Sequence, residues 1–555
     1  MKQVVKNIFI ILNSPERKKL WLLSIADLII SILDIVFLIA LLYLINFYTQ
    51  QISGSAVNNF SLTLFNKHPV LLIMVFFLLF AIKNAGGFVV SKLQYRFVYG
   101  VASRISRENL AQYLDGTYHD YVNIDSSVIN RKISQEPIEF AHYVLNGAQQ
   151  VFSQAILVLV TIVAVFIFNP LLFPLLVLIL APPVFLISFL MKRKLDAARL
   201  LAKKTSEKSM QHLQEALSAF VESNIDKKND FFISRYHRLQ VQLNHYLSER
   251  LIIQSMPSRL IEVFAVFGLL LLVAIHFITS DNQSVQLVTI GALMVAAYKI
   301  IPGIVKITNT AGQVKSYAIA AADLAARPGL SLKRNYYNEP VNNMSFENVC
   351  FNYSGKKILS FFSLSMQKGD FTVISGFSGK GKTTFINLLL GFLTPVSGNI
   401  YINGNHADTE TRQRYWKSIA YVKQQNFFLH ASIIENITLQ EKDYDEGKIK
   451  CITAITGIDK LVTAFPQGLE TVITENGKNF SGGQRQRIIF ARALYKDFDL
   501  LILDEPFNEL DEASETEMLN ELKKIAAAGK MIILITHNDA AISFCNKKIV
   551  MDEQG

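Results

Sequence analysis

This chain is poor in cysteine and in charge. Its three cysteines, Cys350, Cys451 and Cys545, are scattered through 555 residues and form no C-x-x-C pair. That spacing argues against a disulfide framework or a clustered thiolate metal site, and free core thiols in a reducing cytoplasm are expected. Charged residues are only 18% of the chain against 51% hydrophobic, and the mean hydropathy is +0.28. Such values point to membrane segments with a soluble part attached. The first apolar stretch follows Lys18 and Lys19 and lacks a small-residue cleavage site, so it is read as a retained span rather than a signal peptide. A chain this long exceeds one core, and two or more domains are expected.

The first half holds six long apolar runs, at 20–47, 70–90, 151–168, 171–190, 261–278 and 285–307. Each is near the length of about 20 residues that crosses a bilayer as helix. Lys and Arg are nearly missing from alternate connections. The one between the first two runs offers only Lys67, and those at 169–170 and 279–284 offer none. The other side is basic, with Lys2, Lys6 and Arg17 in the N-terminal arm, Arg96, Arg104 and Arg131 in the second connection, and Lys192, Arg193 and Lys194 in the fourth. Positive charge marks the inside, so six spans with both termini cytoplasmic are expected. The net charge of +10 is then a topology signal, with anionic-lipid contact second, and a nucleic-acid partner is not expected. The inside connections, 92–143 and 192–254, are long, polar and helix-like. They read as cytoplasmic stalks, or more plainly as two amphipathic hairpins.

Helical patterning breaks from Arg327-Pro328-Gly329 to Glu339-Pro340, a linker signal. The expected domains are 1–330 (transmembrane), 331–343 (linker) and 344–555 (soluble). In the last, β-like runs at 371–375, 419–422, 500–503 and 531–535 alternate with helix-like ones, the pattern of an α/β domain around a largely parallel sheet.

The residues Gly376-Phe377-Ser378-Gly379-Lys380-Gly381-Lys382-Thr383, followed by Thr384, fit the phosphate-binding P-loop pattern between a strand-like and a helix-like run. The glycines let backbone N–H groups surround phosphates. Lys382 supplies a point charge to the β- and γ-phosphates, and the Thr383 hydroxyl can ligate Mg²⁺. An apolar strand from Leu500 ends in Asp504 and Glu505. Asp504 is placed for the Mg²⁺ shell and Glu505 to polarise an attacking water. Together these motifs indicate a nucleoside triphosphatase. Phe480-Ser481-Gly482-Gly483-Gln484 precedes another helix-like stretch, so Ser481 can N-cap it and the glycines expose N–H groups at a positive helix end. A second anion cradle on one chain is useful if it covers another subunit's nucleotide, which a twofold dimer satisfies.

At this point the sequence resembles the ATP-binding cassette transporter superfamily in its exporter-type half-transporter form. The resemblance is strongest from Phe346 onward and rests on Phe480–Gln484 with the following Arg485-Gln486-Arg487. It implies ATP and Mg²⁺ as ligands, and it implies several residue roles. Tyr353 resembles the aromatic residue that stacks on adenine. Gln424 resembles the glutamine that joins Mg²⁺ and the attacking water to the membrane domain. Glu475 and Gly477 resemble a loop that contacts the stalks. Asp511 resembles the aspartate at a dimer seam, and His537 the histidine reaching the γ-phosphate. Segments 115–127 and 223–232 fall where such exporters place coupling helices. Phe480 stands where leucine is usual and should keep the apolar packing, and Asn508 replaces a more usual serine.

Polar residues within the apolar runs are costly and therefore candidates for function: Asp27, Asp34, Lys83, Asn84, Gln149, Gln150, Gln154, Arg259, Glu262, Lys299 and Lys306. They make interhelical pairs or line a polar cavity. Pro257, Arg259 and Glu262, with Asp34, resemble features of half-transporters that flip lipid-linked oligosaccharides. The resemblance implies an ATP-hydrolysing exporter or flippase in the cytoplasmic (inner) membrane. It would move a lipid, lipid-linked glycan or other amphipathic substrate by alternating access, as a homodimer or with a paralogous half-transporter. A peptide or small-molecule exporter of the same architecture, or a non-transporting membrane ATPase that regulates a partner, stands as the alternative. The short arm before the first run argues against a peptidase domain there.

Overall fold

The computed structural model describes residues 2–52, 69–116, 118, 122, 124–168, 197–198, 200–279, 300, 302–326, 336–353, 355–377 and 379–551. The chain divides into two compact units. One comprises Met1–Asp115 and Asn123–Ser331; the other comprises Gly116–Val122 and Leu332–Gly555.

The first unit is helical: α1 (Lys2–Ile11), α2 (Ser14–Ile52), α3 (Pro69–Leu114), α4 (Asn146–Phe168), α5 (Phe220–Ile225), α6 (Asn229–Thr279) and α7 (Ala318–Ala325) are joined by further helix at 126–145, 200–218 and 302–316. Three helical stretches are long and apolar enough to cross a membrane among the described residues: Ser14–Leu41, Val70–Leu114 and Ser126–Val163. The apolar runs at 20–47, 70–90 and 151–168 fall inside α2, α3 and α4, and 261–278 falls inside α6. The run at 171–190, most of that at 285–307, and Lys299 lie outside the described residues. At 46 and 51 residues, α3 and α6 extend about 69 and 77 Å, more than twice a hydrocarbon core of about 30 Å.

Helix ends and bends have local causes. The Glu16 carboxylate accepts the N–H of Asn13 at 3.0 Å at the start of α2 and takes two bonds from Arg104 of α3, at 2.7 and 2.8 Å. Pro137 lacks an N–H, and the helix widens into π turns on both sides of it, at Arg131–Gln135 and Phe140–Leu145. Val4, Ile8 and Leu12 join Val98, Val101, Phe140 and Ala321 in one buried cluster. A Cβ on Gly147 would fall 2.7 Å from Val314, and one on Gly303 2.5 Å from Val158, so α4 and the 302–316 helix approach closely at two glycines. Of the polar residues in these helices, Lys83 bonds Asp34 and Ser153 bonds Asp27, both between helices. The Gln149 amide is buried, with no hydrogen-bond partner on either atom among the described residues.

The second unit is α/β. A five-stranded parallel sheet runs β9-β3-β8-β7-β6, with β3 Phe371–Ser375, β6 Ile419–Val422, β7 Leu500–Asp504, β8 Met531–Ile535 and β9 Lys547–Val550. The expected strands are all there. Their near-continuous apolar sequences suit burial on both faces. Phe371, Val373, Leu501, Leu503, Ile532 and Leu534 face one core, whereas Ile374, Leu500, Ile502, Met531, Ile533 and Ile535 face the other, the two-residue period of a strand. A second, antiparallel sheet, β2-β1-β4-β5 (Lys356–Gln367, Asn343–Tyr353, Ser397–Ile402, Asn405–His406), was not signalled by the sequence. Register shifts interrupt its β1–β2 pairing, and its strands mix exposed polar with buried apolar residues, which blurs the period.

Candidate functional site

Strand register assembles the site. Ile535 of β8 pairs with Asp504 of β7 on one side and Ile374 of β3 on the other, so three strands end at the same level. The P-loop leaves β3, Glu505 follows β7, and His537 follows β8. The ends of parallel strands are where α/β sheets hold ligands. The Glu505 N–H bonds the Ile535 carbonyl at 2.9 Å, and Glu505 adopts a φ of 51°, a costly left-handed conformation for a residue with a side chain.

The P-loop turns into α8 (Lys382–Leu389) through Gly381, whose φ is 93° and whose added Cβ would lie 3.0 Å from Ile358. Only glycine suits that backbone. Gly376 and Gly379 also have positive φ, and Ser378 lies outside the described residues. Lys382 is buried, with Nζ 3.0 Å from the Gly376 carbonyl oxygen, 2.5 Å from His537 Nε2 and 3.7 Å from Glu505 Oε1. Glu505 Oε1 is 3.2 Å from His537 Nε2, and Gln424 Nε2 donates to Glu505 Oε2 at 2.8 Å. Lys382, Glu505, His537 and Gln424 thus form one linked group. Lys380 and Thr383 are exposed on the same loop and helix start, whereas Thr384 is buried and hydrogen bonded to Tyr353. Tyr353 is 46% exposed, and its ring meets Phe351 edge-on at 4.9 Å.

Burial, and then the adjacent Glu505 carboxylate, push Asp504 up to about 6, against the pull of Lys382 and Lys423. Two neighbouring carboxylates with so little water make a site that favours a cation. The Thr383 hydroxyl, the Asp504 carboxylate and the Gln424 amide oxygen, whose nitrogen is engaged by Glu505, are hard oxygen donors of the kind Mg²⁺ takes. The residues present fit that ion.

The signature residues are built separately. Ser481 caps α9 (Gly482–Tyr495) in a capping box: its Oγ accepts the Gln484 N–H at 3.3 Å, and Gln484 Oε1 accepts the Ser481 N–H at 2.9 Å. Phe480 is buried beside Phe465, as apolar packing requires. Gly482 and Gly483 abut Glu509, which also pairs with Arg485 at 3.2 Å. Among the described residues, no hydrogen bond joins 481–484 to the P-loop group. Asp511 caps the next helix, α10 (Glu512–Ala527), through the Ser514 N–H at 3.2 Å. Gly477 has a φ of 69°, and the Glu475 side chain lies outside the described residues. Tyr118, from the Gly116–Val122 segment of this unit, stacks on Phe392 at 4.9 Å and accepts a hydrogen bond from Asn387 at 3.4 Å. Asn508 stands out in the sequence only as a departure from pattern; in the structure its Nδ2 donates to Glu505 Oε2 at 3.0 Å. The signal available was an amide three residues after a carboxylate on a turn.

Residues 359–508 match the sequence profile of the ABC transporter family. The chain is 36% identical over 209 residues to a Haemophilus influenzae protein named "Probable ABC transporter ATP-binding/permease protein", covering 38% of each. It is 32% identical over 303 residues to the alpha-hemolysin translocation ATP-binding protein HlyB of Escherichia coli O157:H7, covering 49% of this chain and 43% of that one. The matched part thus spans about two fifths of these relatives. A longer alignment, 25% identical over 509 residues, covers 88% of this chain and 84% of exp8 of Streptococcus pneumoniae, named as an ABC transporter ATP-binding protein. In fold, the structure of a bacterial Atm1-family ABC exporter with ATP bound superposes with a TM-score of 0.80, covering 96% of this chain and 95% of that one at 15% identity.

Proposed function

We propose that this chain, whose residues 359–508 match the ABC transporter family, is an ABC transporter of the exporter-type half-transporter form, membrane helices and ATP-binding domain fused, and that it is an ATP-driven exporter or flippase. Its cargo is a lipid, a lipid-linked glycan or another amphipathic molecule, carried across the cytoplasmic membrane by alternating access. The observation that supports this most is the linked group of Lys382, Glu505, His537 and Gln424 at the ends of three parallel strands. That is a full set for hydrolysis, without the substitution at Glu505 that would make a trapping site.

Six spans across residues 1–330 carry the cargo path, and 344–555 form the ATPase on the cytoplasmic side. Two copies sandwich two ATP molecules, each held by the P-loop of one copy and Ser481–Gln484 of the other. The separation of these two cradles within one chain favours that arrangement. Tyr353 stacks on the adenine and Asp511 lies at the seam. Lys382 leaves its carbonyl and imidazole partners for the phosphates. Glu505 takes a proton from the attacking water, and His537 orients the γ-phosphate. Thr383, Asp504 and Gln424 would hold Mg²⁺, which would supply neutralisation of developing phosphate charge. Segments 115–127 and 223–232 pass closure of the ATPase to the helices.

Reconstitution tests the reading. Protein in liposomes should hydrolyse ATP faster with its cargo class present and move a labelled lipid or lipid-linked sugar vectorially. Glu505→Gln should retain ATP, lock the dimer and stop turnover. Hydrolysis by a lone subunit, or stimulation without vectorial movement, points instead to a regulator.

A further inference from the structure

We propose that Asn508 is a positioning residue for the hydrolytic base, holding the Glu505 carboxylate in register by donating from its side-chain amide. The proposal rests on the assignment of Glu505 as that base.

The two carboxylate oxygens of Glu505 have different surroundings. Oε1 faces Lys382 at 3.7 Å and His537 at 3.2 Å, while Oε2 accepts from Gln424 at 2.8 Å and from Asn508 at 3.0 Å. Two amide donors on one oxygen fix the plane of the carboxylate and leave the other oxygen toward the P-loop lysine. Gln424 also stands among the Mg²⁺ donors, so its side chain answers to two tasks. Asn508 is the donor with a single task on this group.

The placement of Asn508 is itself held. Phe507, Asn508, Glu509 and Leu510 make one turn, closed by the Leu510 N–H bonding the Phe507 carbonyl at 3.0 Å, and Phe507 is buried edge-on to Phe490. The residue after Asn508 is clamped to the signature helix: the Glu509 N–H bonds Gln486 Oε1 at 3.2 Å, and its carboxylate pairs with Arg485. Asn508 therefore presents its amide from a turn anchored at both ends. The backbone of Glu505 is in a costly conformation, and such residues persist only where their surroundings over-determine them. A fixed side-chain donor is part of that determination.

The test is steady-state ATPase of the full-length protein in lipid nanodiscs over a range of ATP concentrations. Asn508→Asp keeps the size and shape of the side chain and loses the donor; Asn508→Ala loses both. A hydrogen bond to a charged group predicts a fall in kcat of about tenfold for both, with KM for ATP changed by less than about twofold and thermal melting unaltered. Adding Asn508→Asp to Glu505→Gln should cause no further loss, because the amide acts through the carboxylate. Wild-type kcat in Asn508→Asp overturns the proposal, as does a loss confined to KM or to melting temperature. If Glu505→Gln hydrolyses at a near-normal rate, the base assignment falls and this proposal with it. If Glu505→Gln is inactive while Asn508→Asp is normal, only the role of Asn508 falls.

Discussion

Lys382 Nζ lies 2.5 Å from His537 Nε2, joining the first residue of the P-loop helix to the end of β8 across 155 positions of sequence. A lysine that meets imidazole and carbonyl in this way is a cation already placed at the head of the P-loop helix. Replacing it removes the charge and leaves His537 and Glu505 facing one another.

Lys382→Ala is therefore expected to weaken ATP binding by about 10–100-fold, the scale of losing charge-assisted bonds to phosphate. Fluorescent nucleotide titration of the purified protein measures it. Unaltered affinity would remove Lys382 from the phosphate site.

Asp504 sets a pH dependence. Its pKa rises from 3.8 to about 6 on folding, so between those values the folded chain holds a proton that the unfolded chain has released. The sign follows: Asp504 lowers stability as pH rises from about 4 to 6, and the cost stays in place above 6. Asp504→Asn should then raise the melting midpoint of the nucleotide-free protein at neutral pH by roughly 2–8 °C, for about 1–2 kcal/mol. The same change should abolish the Mg²⁺ dependence of nucleotide binding. Scanning calorimetry with and without Mg²⁺ checks both, and a lowered midpoint would contradict the burial argument.

Gly303 and Gly312 make an internal comparison on one helix. A Cβ at Gly303 would fall 2.5 Å from Val158, whereas one at Gly312 meets nothing within 4 Å. Gly303→Val should cost about 1–3 kcal/mol by overpacking, and Gly312→Ala should gain up to about 1 kcal/mol from helix propensity. Detergent melting of the two variants should move in opposite directions; equal shifts would mean the helices are not in close contact there.

The Lys83–Asp34 pair joins α2 to α3, and Lys83 is the more deeply buried partner. Asp34→Asn strands the buried ammonium and should cost about 3–5 kcal/mol, more than Lys83→Met. The double variant should recover most of that loss. A double variant that is stable but inactive in transport would place the pair in the cargo path.

Much of the ATPase was legible because its chemistry is local. The P-loop, the Asp504–Glu505 pair and the Ser481 cap are each short runs whose residue types state their own backbone needs. Strands such as Leu500–Asp504 and Met531–Ile535 announce themselves by uninterrupted apolar sequence. The antiparallel sheet was not legible, because irregular pairing hides its period. The π turns around Pro137 were not either, since a proline tells where a helix is disturbed but not how the ladder heals.

Sequence alone thus determined the two-part organisation, the helical character of the first part and the residue types of the candidate nucleotide site, all set by composition and near-neighbour pattern. Tertiary structure decided which oxygen of Glu505 faces Lys382, that Asn508 shares the other with Gln424, and that Asp34 meets Lys83. Those relations join residues on separate elements, where strand register and helix packing, rather than any local preference, set the distances.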